Sequence, residues 1–151
     1  FLNNYKMPIH EEYFHKDHPR VLIVDDHEET VELIRRHLIK HNNNFAVESA
    51  SDGYEAGLKM GIFKPNLVIL DLVMPRVDGF EVCRRIKTDQ NTNRIKVLAI
   101  TGYNKPEYLE EITKCGADAC LQKPIDWPEF LKQTQKLLDQ VKVTRSDLIA
   151  S

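Results

Sequence analysis

Five polar residues stand directly after short apolar runs, and they are the positions in this sequence best suited to carry out chemistry. They are Asp25, Asp26, Asp71, Thr101 and Lys123. Each apolar run predicts a β-strand, so each of these side chains is expected at a strand end. If the strands are parallel, all five side chains meet at one edge of the sheet although they lie far apart in the sequence.

The three carboxylates predict a cation site. Carboxylates that share a crevice repel one another, and a bound cation relieves that repulsion. Mg2+ fits best, because it binds through one or two carboxylates, keeps several waters and shares its remaining positions with phosphoryl oxygens. Asp25 and Asp26 are therefore predicted to hold the metal beside Asp71, and Lys123 adds a further positive charge on a flexible stem.

Asp71 is the predicted nucleophile. Once its charge is compensated, an Asp carboxylate can attack phosphorus and form an acyl phosphate. The protein then contributes mainly positioning and electrostatic stabilisation. Thr101 supplies a hydroxyl that can hydrogen-bond a phosphoryl oxygen.

Alternating strands and helices must position these side chains. From Arg20 onward, short apolar runs alternate with helical patterns of about 10 to 15 residues, which indicates repeated strand-helix units and a parallel sheet. Strands are predicted at 21–24, 45–50, 67–70, 96–100 and 119–121. Five such units predict an α/β fold, a flavodoxin-like doubly wound sheet of strand order 2-1-3-4-5 with five helices in a three-layer sandwich.

Capping residues and apolar spacing mark the helices. Asp52 and Asp126 are each followed three residues later by Glu, the spacing of a capping box. Gly116 is predicted to follow the end of the fourth helix. The first helix is predicted from apolar residues on one face: Val31, Ile34 and Leu38.

Length and composition limit the possible functions. The 151 residues fit one domain over 20–141, with 1–19 a tail or upstream linker and 142–151 a C-terminal extension of the last helix or a linker. A formal charge of -2 argues against direct nucleic-acid binding. No apolar run is long enough for a membrane span, and three cysteines without a metal-binding spacing predict free thiols in the cytoplasm.

Four motifs carry a family resemblance over 20–141. They are Val24-Asp25-Asp26, the segment DLVMPRVDG at 71–79, Thr101-Gly102 and Lys123-Pro124. In order and spacing they resemble the receiver domain of response regulators. The resemblance implies that Asp71 accepts a phosphoryl group from the phosphohistidine of a histidine kinase, or from a phosphotransfer protein, in two-component signalling.

The resemblance also implies roles around Asp71. Mg2+ would be bound by Asp26, Asp71 and the backbone carbonyl of Val73, with Asp25 acting through water. The phosphoryl group would be bound by Thr101 and Lys123, and the peptide bond between Lys123 and Pro124 is expected to be cis.

As a signalling switch, such a chain is not an enzyme beyond Mg2+-dependent self-phosphorylation and autodephosphorylation. Phosphorylation would change the surface offered to an output domain or protein, and a phosphorylation-dependent dimer is a further possible state. The alternative is a degenerate receiver that serves only as a protein-interaction module. A dehalogenase-type phosphatase is disfavoured because Val73 stands where its second Asp is needed, and no Gly-x-Gly-x-x-Gly motif supports a nucleotide-binding module.

Two positions leave alternatives open. Asp26, with Glu29 three residues on, could simply cap the first helix. Cys120 stands where receivers usually carry Tyr or Phe, which puts the usual threonine-aromatic relay in doubt; its simplest role is that of a small core residue. Tyr103 is expected to flank the site instead.

Overall fold

The computed structural model describes residues 18–75, 77–102 and 105–141. In chain order the strands are β1 (Arg20–Val24), β2 (Ala46–Ala50), β3 (Leu67–Asp71), β4 (Val73–Met74), β5 (Val77–Asp78), β6 (Lys96–Thr101) and β7 (Ala119–Gln122). The helices are α1 (Glu28–His41), α2 (Gly53–Ile62), α3 (Gly79–Thr88), α4 (Pro106–Lys114) and α5 (Trp127–Asp139).

Five of the strands form a single parallel sheet in the order β2-β1-β3-β6-β7. This is the predicted doubly wound order, so the flavodoxin-like fold class is confirmed. β3 lies at the centre, and all five of its residues are buried. A strand covered by helices on both faces requires the near-continuous apolar run that the sequence shows there.

Two apolar clusters, one on each face of the sheet, complete the three layers. On one face α1 and α5 pack through Val31, Ile34, Leu38, Phe130 and Leu137. On the other face α2, α3 and α4 pack through Ala56, Cys83, Ile86 and Ile112. The predicted apolar stripe of the first helix is therefore its core side.

The helix ends follow the predicted capping residues. Asp52 accepts a hydrogen bond from the Glu55 N–H at 2.8 Å, and Asp126 accepts one from the Glu129 N–H at 3.2 Å. Gly116 follows the C-cap of α4 with φ +82°, a conformation that favours glycine. These side chains satisfy backbone donors that would otherwise lack partners at the first turn.

The segment after β3 contains a short hairpin. β4 and β5 form a short antiparallel hairpin, in which Val73 pairs with Asp78. Asp78 then caps α3 by accepting hydrogen bonds from the N–H groups of Phe80 and Glu81 at 3.0 and 3.3 Å. The hairpin thus returns the chain from the end of the central strand directly into α3.

Gly79 closes this turn against the backbone that follows β3. A Cβ at Gly79 would lie 2.5 Å from the Leu72 Cα and 2.7 Å from the Asp71 carbonyl oxygen. Both of these are main-chain atoms, so the overlap cannot be relieved by moving a flexible side chain. Only glycine allows α3 to start this close to the end of β3.

We predict that Gly79→Ala lowers the free energy of unfolding by roughly 1–3 kcal/mol, because the methyl group overpacks the backbone beside Asp71. Gly57→Ala is the matched control: no atom lies within 4 Å of its Cβ position, and its place inside α2 favours alanine by about 0.5–1 kcal/mol. Urea denaturation would measure both. Equal stability of the Gly79→Ala and unmodified chains would contradict the close packing.

Candidate functional site

The predicted site residues follow the carboxyl ends of neighbouring parallel strands. Asp25 comes directly after β1, Asp71 ends β3, Thr101 ends β6 and Lys123 comes directly after β7. The register places Asp71 opposite Ile100, one residue before Thr101. The convergence predicted from the strand ends is therefore present at one edge of the sheet.

Asp71 is buried, with only 3% of its surface exposed. One carboxylate oxygen, Oδ1, accepts the Val73 N–H at 2.9 Å. The other, Oδ2, accepts a hydrogen bond from the Lys123 Nζ at 3.1 Å. Both oxygens of the buried acid thus have a donor, and one of these donors is a full positive charge.

Asp25 lies beside this ion pair and is 5% exposed. Its Oδ1 accepts the His27 N–H at 2.9 Å, and its Oδ2 is 3.9 Å from the Lys123 Nζ. Burial raises the pKa of Asp25 above its ordinary value, and the nearby Asp71 carboxylate acts in the same direction; the His27 N–H and Lys123 oppose the rise. The ionised forms of these buried carboxylates therefore repel each other, and a bound cation would reduce that repulsion.

Asp26 does not cap α1, although capping was the alternative role that the sequence left open for it. The N-cap of α1 is His27, which makes no side-chain capping bond. The Asp26 side chain is 29% exposed, and its Oδ1 lies 3.1 Å from the His27 Nδ1. Capping therefore does not explain this acid, which faces the same crevice as Asp25 and Asp71.

The side chains fit a metal ion. Within the described residues, one ligand atom from each of Asp25, Asp26, His27 and Asp71 lies within 4.8 Å of the others. Opposite ligands of a Mg2+ ion are separated by about 4.2 Å, so small side-chain movements would close the three carboxylates around one. His27 is the residue that the sequence reasoning missed; its only signal was its position directly after the two acids.

Lys123 and Thr101 are joined through the backbone. The Lys123 N–H donates to the Thr101 carbonyl oxygen at 2.8 Å, which fixes the loop after β7 to the end of β6. Thr101 is 1% exposed, and the Lys123 side chain is 31% exposed. The peptide bond between Lys123 and Pro124 is cis, as the resemblance implied. Lys123 therefore reaches from the edge strand across β6 to the carboxylate of β3.

Three expectations about neighbouring residues have different outcomes. Metal ligation by the Val73 carbonyl stays a prediction, although the Val73 N–H bonds Asp71. Tyr103 lies outside the described residues.

Cys120 is partly buried and packs against the cluster on the α3 side of the sheet, where burial raises the pKa of its thiol to about 11. The aromatic position of the family is thus occupied by a protonated thiol at neutral pH.

A family model described as the response regulator receiver domain matches residues 21–135. The DNA-binding dual master transcriptional regulator RpaA of Synechocystis sp. is 35% identical over 120 residues, which cover 80% of this chain and 49% of that protein. Response regulator MprA of Mycobacterium ulcerans is 34% identical, over 82% of this chain and 52% of that protein. The chain thus spans about half the length of these relatives.

Solved structures show the same architecture. The signal receiver domain of a DNA-binding response regulator from Colwellia psychrerythraea has a TM-score of 0.77 at 30% identity, covering 81% of this chain and 99% of that one. The signal receiver domain of a histidine kinase from Syntrophus aciditrophicus has a TM-score of 0.77 at 29% identity, covering 85% and 96%. Chemotaxis protein CheY4 of Vibrio cholerae has a TM-score of 0.71 at 28% identity, covering 79% and 98%.

No helix in the described part of the chain is both long enough and apolar enough to cross a bilayer. The matched family model extends from β1 into α5 and includes all five strand-end residues. The chain belongs to the response regulator receiver domain family, the signalling switches of two-component systems.

Proposed function

We propose that this chain is a phosphorylation-dependent switch that accepts a phosphoryl group on Asp71. The observation that carries the proposal is the buried Asp71 carboxylate, 3.1 Å from the Lys123 ammonium and beside the acids Asp25 and Asp26. Proteins rarely bury a cluster of acids at one strand edge for stability alone, because desolvating each charge is unfavourable. Perturbed, charged groups in a crevice are instead typical of functional sites.

Phosphoryl transfer would proceed by attack of an Asp71 carboxylate oxygen on the phosphorus of a phosphohistidine. The new O–P bond forms as the P–N bond breaks, and the electron pair of that bond returns to the imidazole, which takes up a proton from solvent. Lys123 would offset the charge that collects on the phosphoryl oxygens, and the Thr101 hydroxyl would bind one of them. The Val73 N–H holds the carboxylate in place during attack.

A divalent cation fits the three carboxylates. We assign Mg2+ to Asp25, Asp26 and Asp71, with the Val73 carbonyl as a further ligand; when bound it would neutralise the acids and the incoming phosphoryl oxygens. The ligands are hard oxygen donors, and two of the three acids are almost fully buried. The His27 side chain is 66% exposed, and its Nδ1 lies 3.1 Å from Asp26 Oδ1. His27 would therefore orient the Asp26 carboxylate and would not itself bind the metal.

The chain would itself be phosphorylated and dephosphorylated, and it would not convert a separate substrate into a product. Its chemistry would be limited to gain of a phosphoryl group from phosphohistidine or a small donor and loss of it to water.

A degenerate receiver that only binds other proteins is the alternative. The placement of the acids and Lys123 favours the active form, since a domain without phosphoryl chemistry has no need of this charge arrangement.

We infer partners from the family and from the charge. A histidine kinase or a phosphotransfer protein would supply the phosphoryl group, and an output domain or protein would read it. The relative RpaA is described as DNA-binding, but this chain spans about half of it and has a net charge of -2. We therefore place any DNA contact outside 20–141, the range that we assign to the receiver. The three free thiols fit a reducing cytoplasm.

We predict that incubation with Mg2+ and acetyl phosphate raises the intact mass of the chain by one phosphoryl group, and that Asp71→Asn abolishes the gain. Asp52→Asn is the matched control, since it changes an exposed Asp whose capping role Asn can fill. Intact-protein mass spectrometry reads out all three chains. An unchanged mass in the folded, unmodified chain would refute phosphorylation, and a gain retained by Asp71→Asn would refute the acceptor.

Removal of the exposed acid tests the metal site separately. We predict that Asp26→Asn weakens Mg2+ binding at least about tenfold, because one charged ligand becomes neutral while the fold is kept. Isothermal titration calorimetry would measure the affinity, with Asp52→Asn again as the control. Equal affinity in Asp26→Asn and the unmodified chain would exclude Asp26 from the metal site.

A further inference from the structure

Two of the three cysteines lie against each other in the core. Cys83, on α3, is completely buried, and Cys115, the C-cap of α4, is 1% exposed. They are 32 positions apart in the sequence, yet the Cys83 thiol donates to the Cys115 carbonyl oxygen at 3.2 Å. The fold thus brings together two thiols from different helices, and the proposed phosphoryl chemistry uses neither of them.

The chain around this pair is closely packed at two further points. Lys87, one turn after Cys83 on α3, donates from its Nζ to Asp118 Oδ2 at 2.9 Å. A Cβ at Gly116, the residue after Cys115, would lie 3.4 Å from the Lys87 Cβ. This is close to the separation of about 3.5–4.5 Å between the Cβ atoms of a disulfide. The two segments are therefore near enough for a bond between their sulfurs without a large movement of the backbone.

The two thiols differ in how readily they ionise. A hydrogen bond from the Cys83 thiol lowers the pKa of Cys115, and the Ala117 N–H and the Arg84 charge act in the same direction, against burial. The same hydrogen bond and burial raise the pKa of Cys83. The thiolate is the nucleophilic form of cysteine. Cys115 is therefore the better nucleophile, and Cys83 is held beside it as a thiol.

We propose that Cys83 and Cys115 are a redox-active pair, which hydrogen peroxide converts into an intramolecular disulfide between α3 and the end of α4. The Cys115 thiolate attacks one peroxide oxygen: an S–O bond forms, the O–O bond breaks, and the departing hydroxide takes up a proton to become water. The Cys83 sulfur then attacks the sulfenic acid. An S–S bond forms as the S–O bond breaks, and the hydroxide leaves with the Cys83 proton as a second water. The two thiols lose two electrons, which the peroxide gains.

The burial of both sulfurs decides which oxidants can act. The oxidant has to be small, and it reaches Cys115 when the last turn of α4 opens, since stability is not uniform and helix ends open more readily than core strands. Hydrogen peroxide is among the smallest oxidants. In a reducing compartment a disulfide lasts only while the oxidant is present. The bond would therefore report oxidation and would not be a permanent part of the fold.

The pair lies away from the proposed phosphoacceptor site. The segment after Cys115 leads into β7, and the Asp118 N–H donates to the Val97 carbonyl oxygen near the start of β6 at 2.9 Å. Asp71 and Lys123 lie instead at the carboxyl ends of the strands. The redox proposal goes beyond the proposed function and needs none of its residues. Failure of either proposal would leave the other standing.

Thiol counting with peptide mapping tests the proposal. The chain is treated with hydrogen peroxide under conditions that fully oxidise free glutathione, then unfolded and labelled with N-ethylmaleimide. We expect the number of labels to fall from three to one, and a non-reducing peptide map to link Cys83 to Cys115. Dithiothreitol should restore all three labels, because a disulfide is reversible whereas sulfinic and sulfonic acids are not reduced by thiols. Cys120→Ser is the matched control and should still lose two labels.

Single variants test the role of each sulfur, with circular dichroism to verify folding. In Cys83→Ser, the sulfenic acid at Cys115 has no resolving thiol, so dimedone should label it. In Cys115→Ser, Cys83 should not react with dimedone after the same treatment, because its thiol stays protonated. The peptide map of the unmodified chain does not depend on these variants. A chain that keeps three labels, links Cys120 or joins two chains would overturn the proposal, and so would dimedone labelling of Cys83 alone.

Discussion

The burial of Asp25 and Asp71 beside one lysine is the constraint on which the rest of the site depends. A buried carboxylate is tolerated only when charge and hydrogen bonds compensate it. Here the Lys123 Nζ lies 3.1 Å from Asp71 and 3.9 Å from Asp25, while backbone N–H groups bind the remaining oxygens. β7 is not adjacent to β3, because β6 lies between them, so the cation must reach across a strand. The long stem of lysine meets that requirement.

The chain around Asp71 is built to keep this carboxylate in place. The N–H of Leu72, the residue directly after β3, donates to the Ile100 carbonyl oxygen at 2.9 Å. The pairing between β3 and β6 is thereby extended by one residue. The short β4–β5 hairpin then returns the chain to α3, and Gly79 allows that helix to start against the Leu72 backbone. Asp71 is thus held by main-chain structure on both sides, while its side chain contacts Lys123 and, in the function that we propose, a metal. Such preorganisation is how a protein contributes to phosphoryl transfer.

Buried parallel strands were the most predictable part of the fold. The central strand was predicted at 67–70 and extends over Leu67–Asp71, since a strand buried on both faces has to be apolar throughout. The site followed from it, because parallel strands bring their carboxyl ends to one edge. The sequence did not reveal the β4–β5 hairpin, since strands of two residues have no periodicity. His27 was missed because its place depends on a turn that its own N–H makes with Asp25.

Three exposed apolar residues of α2, Tyr54, Leu58 and Ile62, show a different limit of sequence reasoning. Apolar residues occur all around this helix, so periodicity alone cannot tell which of them face the sheet and which face solvent. Only the packing of Ala56 into the core shows that Tyr54 and Ile62 face outward. None of the exposed apolar residues of α2 belongs to the cluster of acids at the strand ends.

Chemical trapping of the phosphorylated residue tests the central claim most directly. An acyl phosphate reacts with hydroxylamine to give a hydroxamate, which marks the acceptor carboxylate in a peptide map. After treatment with acetyl phosphate and Mg2+, the hydroxamate should be found at Asp71 and nowhere else in the chain. A hydroxamate at Asp25 or Asp26, or phosphorylated chain that gives none at all, would contradict the assignment of Asp71 as the phosphoacceptor.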